Sequence, residues 1–374
     1  MSKPKVLLLG KLPPPYMGPA IATEIILNSA LTKQYNVIHL DTNVHKTLGT
    51  LGTLSLKKVG QNVGIYFRFL SILLREKPDV VLIPISQATI GFFKDAVFIL
   101  LASMLKSRVL IQLRGSNIKN WLAKASWFTR TFASLSLRKA NGAIVLGEKL
   151  KHLFTDYLPT ENIYVVPNGA NYPGLQVQKR RAPAALRVLY LANLMPSKGI
   201  EDAILAIKEL KDRKVQHVTL DVVGNWLDDD IRRTCLHLVR LHNLPVRFHG
   251  PAIGKKKFRF FSEADLFVFV PRLPEGHPWV IVESLAVGLP IISTDQGAIS
   301  ESVIDGVNGF IVQEYSPRQI ADKIMLFMKD QKLIEQFSAA SRAHYLNNFT
   351  EEKMVQRLSH AIDMVLPASL KQVA

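Results

Sequence analysis

Short apolar runs alternate with longer stretches of helical period over the first 170 residues. The runs are Lys5–Leu9, Val37–Leu40, Val80–Ile83, Val109–Leu113, Ala143–Leu146 and Tyr164–Val166. Most are apolar throughout instead of alternating, the pattern of strands covered on both faces of a sheet. The stretches between them, about 19–33, 60–76, 88–106, 119–139 and 148–157, carry apolar residues at helical spacing. Strand followed by helix, repeated, predicts a parallel sheet with right-handed crossovers.

Residues 172–186 have no period, two prolines and the basic cluster Lys179-Arg180-Arg181, and read as a linker. The βα rhythm then restarts. Strands are expected at Val188–Ala192, Thr219–Val223, Val246–His249, Leu266–Val270, Ile291–Thr294 and Phe310–Val312. Ile200, Ala203, Ile204, Ile207 and Leu210 share one helix face. Ser316-Pro317 reads as an N-cap followed by proline at the first helical position. From 331 onward only helix is expected. The chain is thus expected to be α/β, with two doubly wound, Rossmann-like domains, 1–172 and 183–345, whose parallel sheets face a central cleft.

A length of 374 residues suits two domains, and 48% hydrophobic residues can fill their cores. Cys235 is the sole cysteine, which excludes an internal disulfide and a cysteine zinc cage and favours a reducing, cytoplasmic compartment. The N-terminal apolar run Val6–Leu9 ends at Lys11 after Gly10, too short for a signal-peptide core. The uncharged run Ala96–Leu105 falls short of the roughly 20 residues of a spanning helix. The net charge of +17 is uneven. Residues 1–172 hold 21 Lys+Arg against 8 Asp+Glu, and residues 173–374 hold 26 against 22. Such an excess in one half points to an anionic partner there, or to general solubility.

The stretch richest in chemistry is Pro271–Val312. Glu275 precedes a Gly276-His277-Pro278 turn, and Glu283 follows eight positions later among Val280, Ile281, Val282, Leu285 and Ala286. A helix starting near Pro278 would aim free N–H groups at the space beside Glu275, an anion site flanked by a carboxylate. Glu283, about one and a half turns on, could accept hydrogen bonds from ribose hydroxyls, and an ionised acid in apolar surroundings needs a partner. The plainer reading makes Glu275 a loop acid and Glu283 a helix-surface acid.

This stretch resembles the retaining glycosyltransferases of the GT-B fold, family 4 (glycosyl transferases group 1). Their Glu-Gly-Phe-Pro…Glu-Ala…Gly-Leu-Pro signature reads here Glu275-Gly276-His277-Pro278…Glu283-Ser284…Gly288-Leu289-Pro290. Further segments are similar to the family in the expected order: Val166-Pro167-Asn168-Gly169, Leu191–Leu194 with Ser197-Lys198-Gly199, Leu220–Gly224, Ala264–Phe267, Gly297–Glu301 and Asp305–Gly309. Together they cover most of 165–313, and the likeness is weaker over the first half.

The resemblance implies that Glu275 contacts donor-sugar hydroxyls, Glu283 holds the nucleotide ribose, and Lys198 lies on the donor diphosphate. Gly276, His277 and Pro278, leading into Trp279 and Val280, match the loop around the sugar and phosphate. Gly18, in Pro15-Tyr16-Met17-Gly18-Pro19, matches an N-terminal loop whose glycine approaches the diphosphate. It also implies that the last helices, about 346–374, return to the N-terminal domain, which presents the acceptor, while the C-terminal domain binds the nucleotide sugar. Three positions depart from the family. Asn193 replaces a usual Arg, Gly18-Pro19 replaces a Gly-Gly pair, and Arg114 of Gln112-Leu113-Arg114-Gly115 replaces a His near the reaction centre. Arg114 either restores the missing charge, marks a changed acceptor, or accompanies a weakened enzyme.

The expectation is a hexosyl transfer from a nucleotide-diphosphate sugar to a saccharide or lipid-linked saccharide in cell-envelope or exopolysaccharide synthesis. No cofactor and no metal are expected. Asp228-Asp229-Asp230 reads as helix N-terminal acids rather than a metal motif. His277 reads as a loop residue lining the sugar, and Lys255-Lys256-Lys257 as a solvated run able to attract phosphates. The segment 119–139 holds Trp121, Phe128, Phe132 and Leu135 at helical spacing, five basic residues and no acid. It is either a core helix or a basic amphipathic helix for an anionic inner membrane face. The rivals are a GT-B sugar-nucleotide epimerase or phosphorylase, an inactive partner subunit, and a nucleic-acid-binding protein. The last lacks a zinc module, an RNA-binding signature or a basic tail.

Overall fold

The computed structural model describes residues 3–14, 17–43, 56–172, 175 and 185–370, with backbone alone over 56–63. The expected linker, 172–186, lies mostly outside them, as do Pro15 and Tyr16 of the N-terminal loop. The chain divides into two compact units, Met1–Ala170 with Glu351–Ala374, and Asn171–Thr350.

The first unit is built on β1 (Lys5–Gly10), β2 (Asn36–Asp41), β3 (Val80–Ile85), β4 (Arg108–Leu113), β5 (Gly142–Val145) and β6 (Ile163–Val165). All pairings are parallel, in the order β2-β1-β3-β4-β5-β6. The connecting helices are α1 (Gly18–Asn28), α2 (Leu31–Gln34), α3 (Leu56–Glu76), α4 (Thr89–Met104), α5 (Ile118–Lys124) and α6 (Trp127–Leu137). Continuous apolar runs become central strands because both faces are covered: Val80, Val81, Leu82 and Ile83 have almost no exposure.

The helical stretches subdivide where hydroxyls compete for the backbone. Ser29 donates to the Ile26 carbonyl at 2.7 Å and ends α1. Ser126 is extended and its hydroxyl accepts from the Thr129 N–H at 3.2 Å, capping α6. The single helix expected over 119–139 is therefore two, and its expected aromatic face is cut in two. Residues 148–157 hold only a 3-10 helix, Glu148–Leu153, before turns.

The second unit pairs β7 (Leu186–Leu191), β8 (Val218–Val223), β9 (Val246–Phe248), β10 (Leu266–Phe269), β11 (Ile291–Thr294) and β12 (Gly309–Val312) in the order β12-β11-β10-β7-β8-β9, again parallel. Its helices are α7 (Ile200–Asp212), α8 (Asp229–Leu241), α9 (Gly254–Glu263), α10 (Trp279–Ala286), α11 (Ile299–Ser302), α12 (Pro317–Lys329) and α13 (Gln331–Asn348). Strand order reverses between β7 and β10, and the crevice at their carboxyl ends is where such sheets bind ligands. Ser316 stands at the N-cap of α12 with Pro317 following, but its hydroxyl makes no capping bond.

The last helix, α14 (Glu351–Val365), belongs to the first unit. Its Leu358, Ala361 and Ile362 join Val6, Leu8, Leu82 and Leu110 in one core. The Tyr35 hydroxyl donates to Asp363 Oδ1 at 2.6 Å on the same packing. Among the described residues no helix is long and apolar enough to cross a membrane.

Candidate active site

Two loops of the second unit leave the sheet at the β7/β10 reversal and carry Lys198 and Glu275. After β7 the chain passes Asn193, which is exposed, and reaches Lys198 just before α7. Gly199 has φ +75°, and an added Cβ would lie 1.9 Å from the Val270 carbonyl oxygen, so only glycine lets this turn lie against the end of β10. The Tyr190 hydroxyl donates to the Lys198 carbonyl at 2.9 Å from the core below. After β10, Arg272 turns back over α7. Its guanidinium donates to both oxygens of Asp202 at 2.6 Å and to Glu201 at 3.2 Å, while its N–H reaches the Ser197 carbonyl at 2.9 Å. Arg272 thereby fixes one loop against the other. Sequence reasoning missed it, because no local pattern links positions 202 and 272.

Within this frame Lys198 Nζ donates to Glu275 Oε1. Burial pushes the Glu275 carboxyl above the usual carboxylate range, and the Lys198 charge pulls against that shift. The backbone at Glu275 and Gly276 is clasped by a second glycine. Gly297 has φ +60°, an added Cβ would lie 2.0 Å from the Glu275 carbonyl oxygen, and Ala298 N–H donates to the Gly276 carbonyl at 2.9 Å.

Pro278 is the N-cap of α10, and Trp279 and Val280 open the helix, both half-buried. The first turn of this helix follows directly on the Glu275 loop, and its Ile281 N–H donates to the Pro278 carbonyl at 3.1 Å. His277 departs from expectation. Its ring is buried, shares a 2.7 Å hydrogen bond between Nε2 and Ser302 Oγ, and packs on Phe349 with centroids 5.1 Å apart. The imidazole pins the loop from inside, and the backbone is what this position can offer a ligand.

Glu283 is 4% exposed on α10, among Ile281, Val282 and Leu285. Its partner is Lys257, whose Nζ donates to Oε1. Lys257 is thus drawn out of the expected solvated run and sits beside a buried acid. The other oxygen, Glu283 Oε2, is sealed from solvent and has no hydrogen-bond partner among the described residues, and neither has the Tyr172 hydroxyl. Burial raises the Glu283 carboxyl, with Lys257 opposing, and raises the Tyr172 phenol, to which the Glu283 charge adds.

Asp228 accepts from the Ile231 N–H at 2.9 Å as the N-cap of α8, and Asp229 and Asp230 lie in its first turn. Among the described residues no three His, Cys, Asp or Glu side chains gather as they would around a metal ion.

The first unit holds the two remaining predicted residues. Gly18 begins α1 at the loop that follows β1. Arg114 follows β4, and its Nη1 donates to Asn168 Oδ1 at 3.0 Å. Burial alone pulls the guanidinium down to about 10, with no carboxylate contributing to the shift. Asn168, expected as part of a domain-joining turn, is thus also the brace for Arg114.

Residues 176–344 match the family model described as glycosyl transferases group 1. YtcC of Bacillus subtilis, named as a glycosyltransferase, is 28% identical over 193 residues, which are 50% of this chain and 47% of YtcC. The capsular polysaccharide biosynthesis glycosyltransferase CapM of Staphylococcus aureus is 26% identical over 249 residues, 62% of this chain and 63% of CapM. Each match thus spans less than two thirds of the relative. The structure of Anabaena HepE in complex with UDP and glucose superposes with a TM-score of 0.73 at 17% identity, covering 96% of this chain and 99% of HepE. The chain therefore has the GT-B fold, and its residues 176–344 carry the glycosyl transferases group 1 match over the unit that holds Lys198, Glu275 and Glu283.

Proposed function

We propose that the protein moves a hexose from a nucleotide-diphosphate sugar to a saccharide or lipid-linked saccharide of the cell envelope, with retention at the anomeric carbon and without a metal. The observation that carries this reading is Glu283 Oε2, a buried acceptor with no donor among the described residues, on a helix whose first turn follows the Lys198–Glu275 pair. A buried acceptor left unpaired is costly, and a ribose hydroxyl is a donor of the right kind. HepE, of the same fold, holds UDP and glucose.

On this reading the donor enters the second unit with its ribose on Glu283. Lys198 turns to the diphosphate, helped by the α10 N-terminus, and the α10 loop backbone of Gly276, His277 and Pro278 surrounds the sugar. Glu275, freed of its lysine, accepts from sugar hydroxyls and favours the positive charge that develops as the bond from the anomeric carbon to phosphate oxygen breaks. The acceptor hydroxyl forms the new bond on the same face, and its proton passes to the departing phosphate oxygen. The nucleoside diphosphate leaves. Arg114 supplies a cation to the substrate bound by the first unit, and Asn193 leaves the diphosphate with one cation fewer on the second. The enzyme works in the cytoplasm at the inner membrane face.

The test is a thermal-shift screen of nucleotide sugars on wild type and Glu283→Ala. A ligand at 100 times its Kd adds about 2.7 kcal/mol of stability. A nucleotide sugar that stabilises only the wild type, followed by product analysis showing an α-linked glycoside from an α-linked donor, supports the reading. Free sugar or an epimerised donor without acceptor overturns it.

A further inference from the structure

The two-helix replacement of the stretch 119–139 creates a surface that neither the core nor the proposed chemistry uses. Helix α6 buries Thr129, Ala133, Ser136 and Leu137. Its opposite side holds Trp127, Phe128 and Leu135, which are 72%, 57% and 61% exposed. Phe93 of α4 stacks against both Phe128 and Phe132, with centroids 6.2 and 4.8 Å away and planes within 14° and 10°. One turn before Phe93, Ile90 is 74% exposed. Trp127 meets Phe128 edge-on at 6.1 Å. Scattered exposed apolar residues are ordinary, but a continuous strip of this kind marks an interaction surface.

The charges around the strip say what covers it. No acid occurs from 119 to 139. Lys119 is bound by Asp156 at 3.1 Å, and Arg138 by the Asp156 carbonyl at 2.7 Å. Lys124, Arg130 and Lys139 are exposed and have no partner among the described residues. Lys124 and Arg130 each lie three positions from Trp127, one on either side. Exposed aromatics rimmed by unpaired cations fit a surface that is anionic outside and apolar beneath. A second copy of the chain would present the same face and set cation against cation.

We propose that the Ile90–Phe93–Trp127–Phe128–Leu135 strip is a membrane-docking surface that inserts into an anionic bilayer, with Lys124 and Arg130 on the lipid headgroups. The surface lies in the first unit, so this inference stands or falls separately from the sugar-transfer reading.

The test is flotation of the full-length protein with phosphatidylcholine vesicles with and without phosphatidylglycerol, at 0.1 M and 0.5 M salt. Wild type should float with anionic vesicles only, more weakly at high salt. K124E/R130E should lower binding at least tenfold, because each basic residue near such a surface contributes about fivefold. W127S/F128S should also lose about tenfold while melting at the wild-type temperature, which separates insertion from charge alone. Lipids brominated on their acyl chains should quench fluorescence of the wild type, and W127F should lack that quenching. Equal binding to neutral vesicles would overturn the proposal. So would anionic binding that W127S/F128S leaves intact, or a dimer in sedimentation that the same variant splits.

Discussion

Lys257, 26 positions before Glu283 in the chain, donates to one of its carboxylate oxygens, and the other is buried with no donor among the described residues. The lysine makes an ionised acid tolerable in that interior, and on the proposed reading the other oxygen accepts from a ribose hydroxyl. Glu283→Ala should therefore weaken donor binding by about 1.5–3 kcal/mol, the range for a hydrogen bond to a charged group. Calorimetric titration with the nucleotide-sugar hit would read this directly, and unchanged affinity would remove Glu283 from the site.

Glu275 should behave differently. On the proposed reading its contacts to the sugar strengthen as the ring gains charge, so Glu275→Gln should lower kcat by about 100-fold with little change in KM. A rise in KM at constant kcat would mean that Glu275 serves binding alone.

Arg272 neutralises Asp202 and Glu201 and joins the two loops of the site. Arg272→Met should leave Asp202 buried without its cation and destabilise the second unit by about 3–5 kcal/mol. Chemical denaturation measures the loss. In any folded remainder the affinity for donor should fall, since the Lys198 turn loses its hold on the Glu275 loop.

The pH dependence of stability follows from the two raised carboxyls. Their ordinary value is 4.5 and both are higher in the folded protein. Folding thus favours their protonated forms, so this contribution is fully present below about 4.5 and is lost as pH rises through the folded values. Glu275→Gln/Glu283→Gln should lack that decline and melt at a temperature less dependent on pH. A steeper pH dependence in the double variant would contradict the assignment.

Asp228 caps α8, so Asp228→Ala should cost about 1 kcal/mol of stability and leave activity in EDTA as in wild type. Loss of activity in EDTA, restored by Mn²⁺ or Mg²⁺, would instead give the acids at 228–230 a metal role.

By itself the amino-acid order determined the βα rhythm, the parallel sheets and the place where α10 begins. Runs such as Val80–Ile83 carry that information locally, since a strand covered on both faces must be apolar at every position. The Glu275–Glu283 spacing was equally local, because one loop and one short helix hold both residues. Tertiary structure decided what those residues meet. Lys257 reaches Glu283 from α9, Arg272 reaches Asp202 from the end of β10, and Asn168 reaches Arg114 from beyond β6. Those pairings depend on which strands lie side by side, and no periodicity encodes that. It also decided against the single helix over 119–139. The Ser126 hydroxyl restarts the helix there, Trp121 turns to Phe92 with rings 5.1 Å apart, and Trp127 and Phe128 are left facing solvent. Helical spacing cannot reveal such a break, because a capping serine and an interior serine look alike until the backbone around them is fixed.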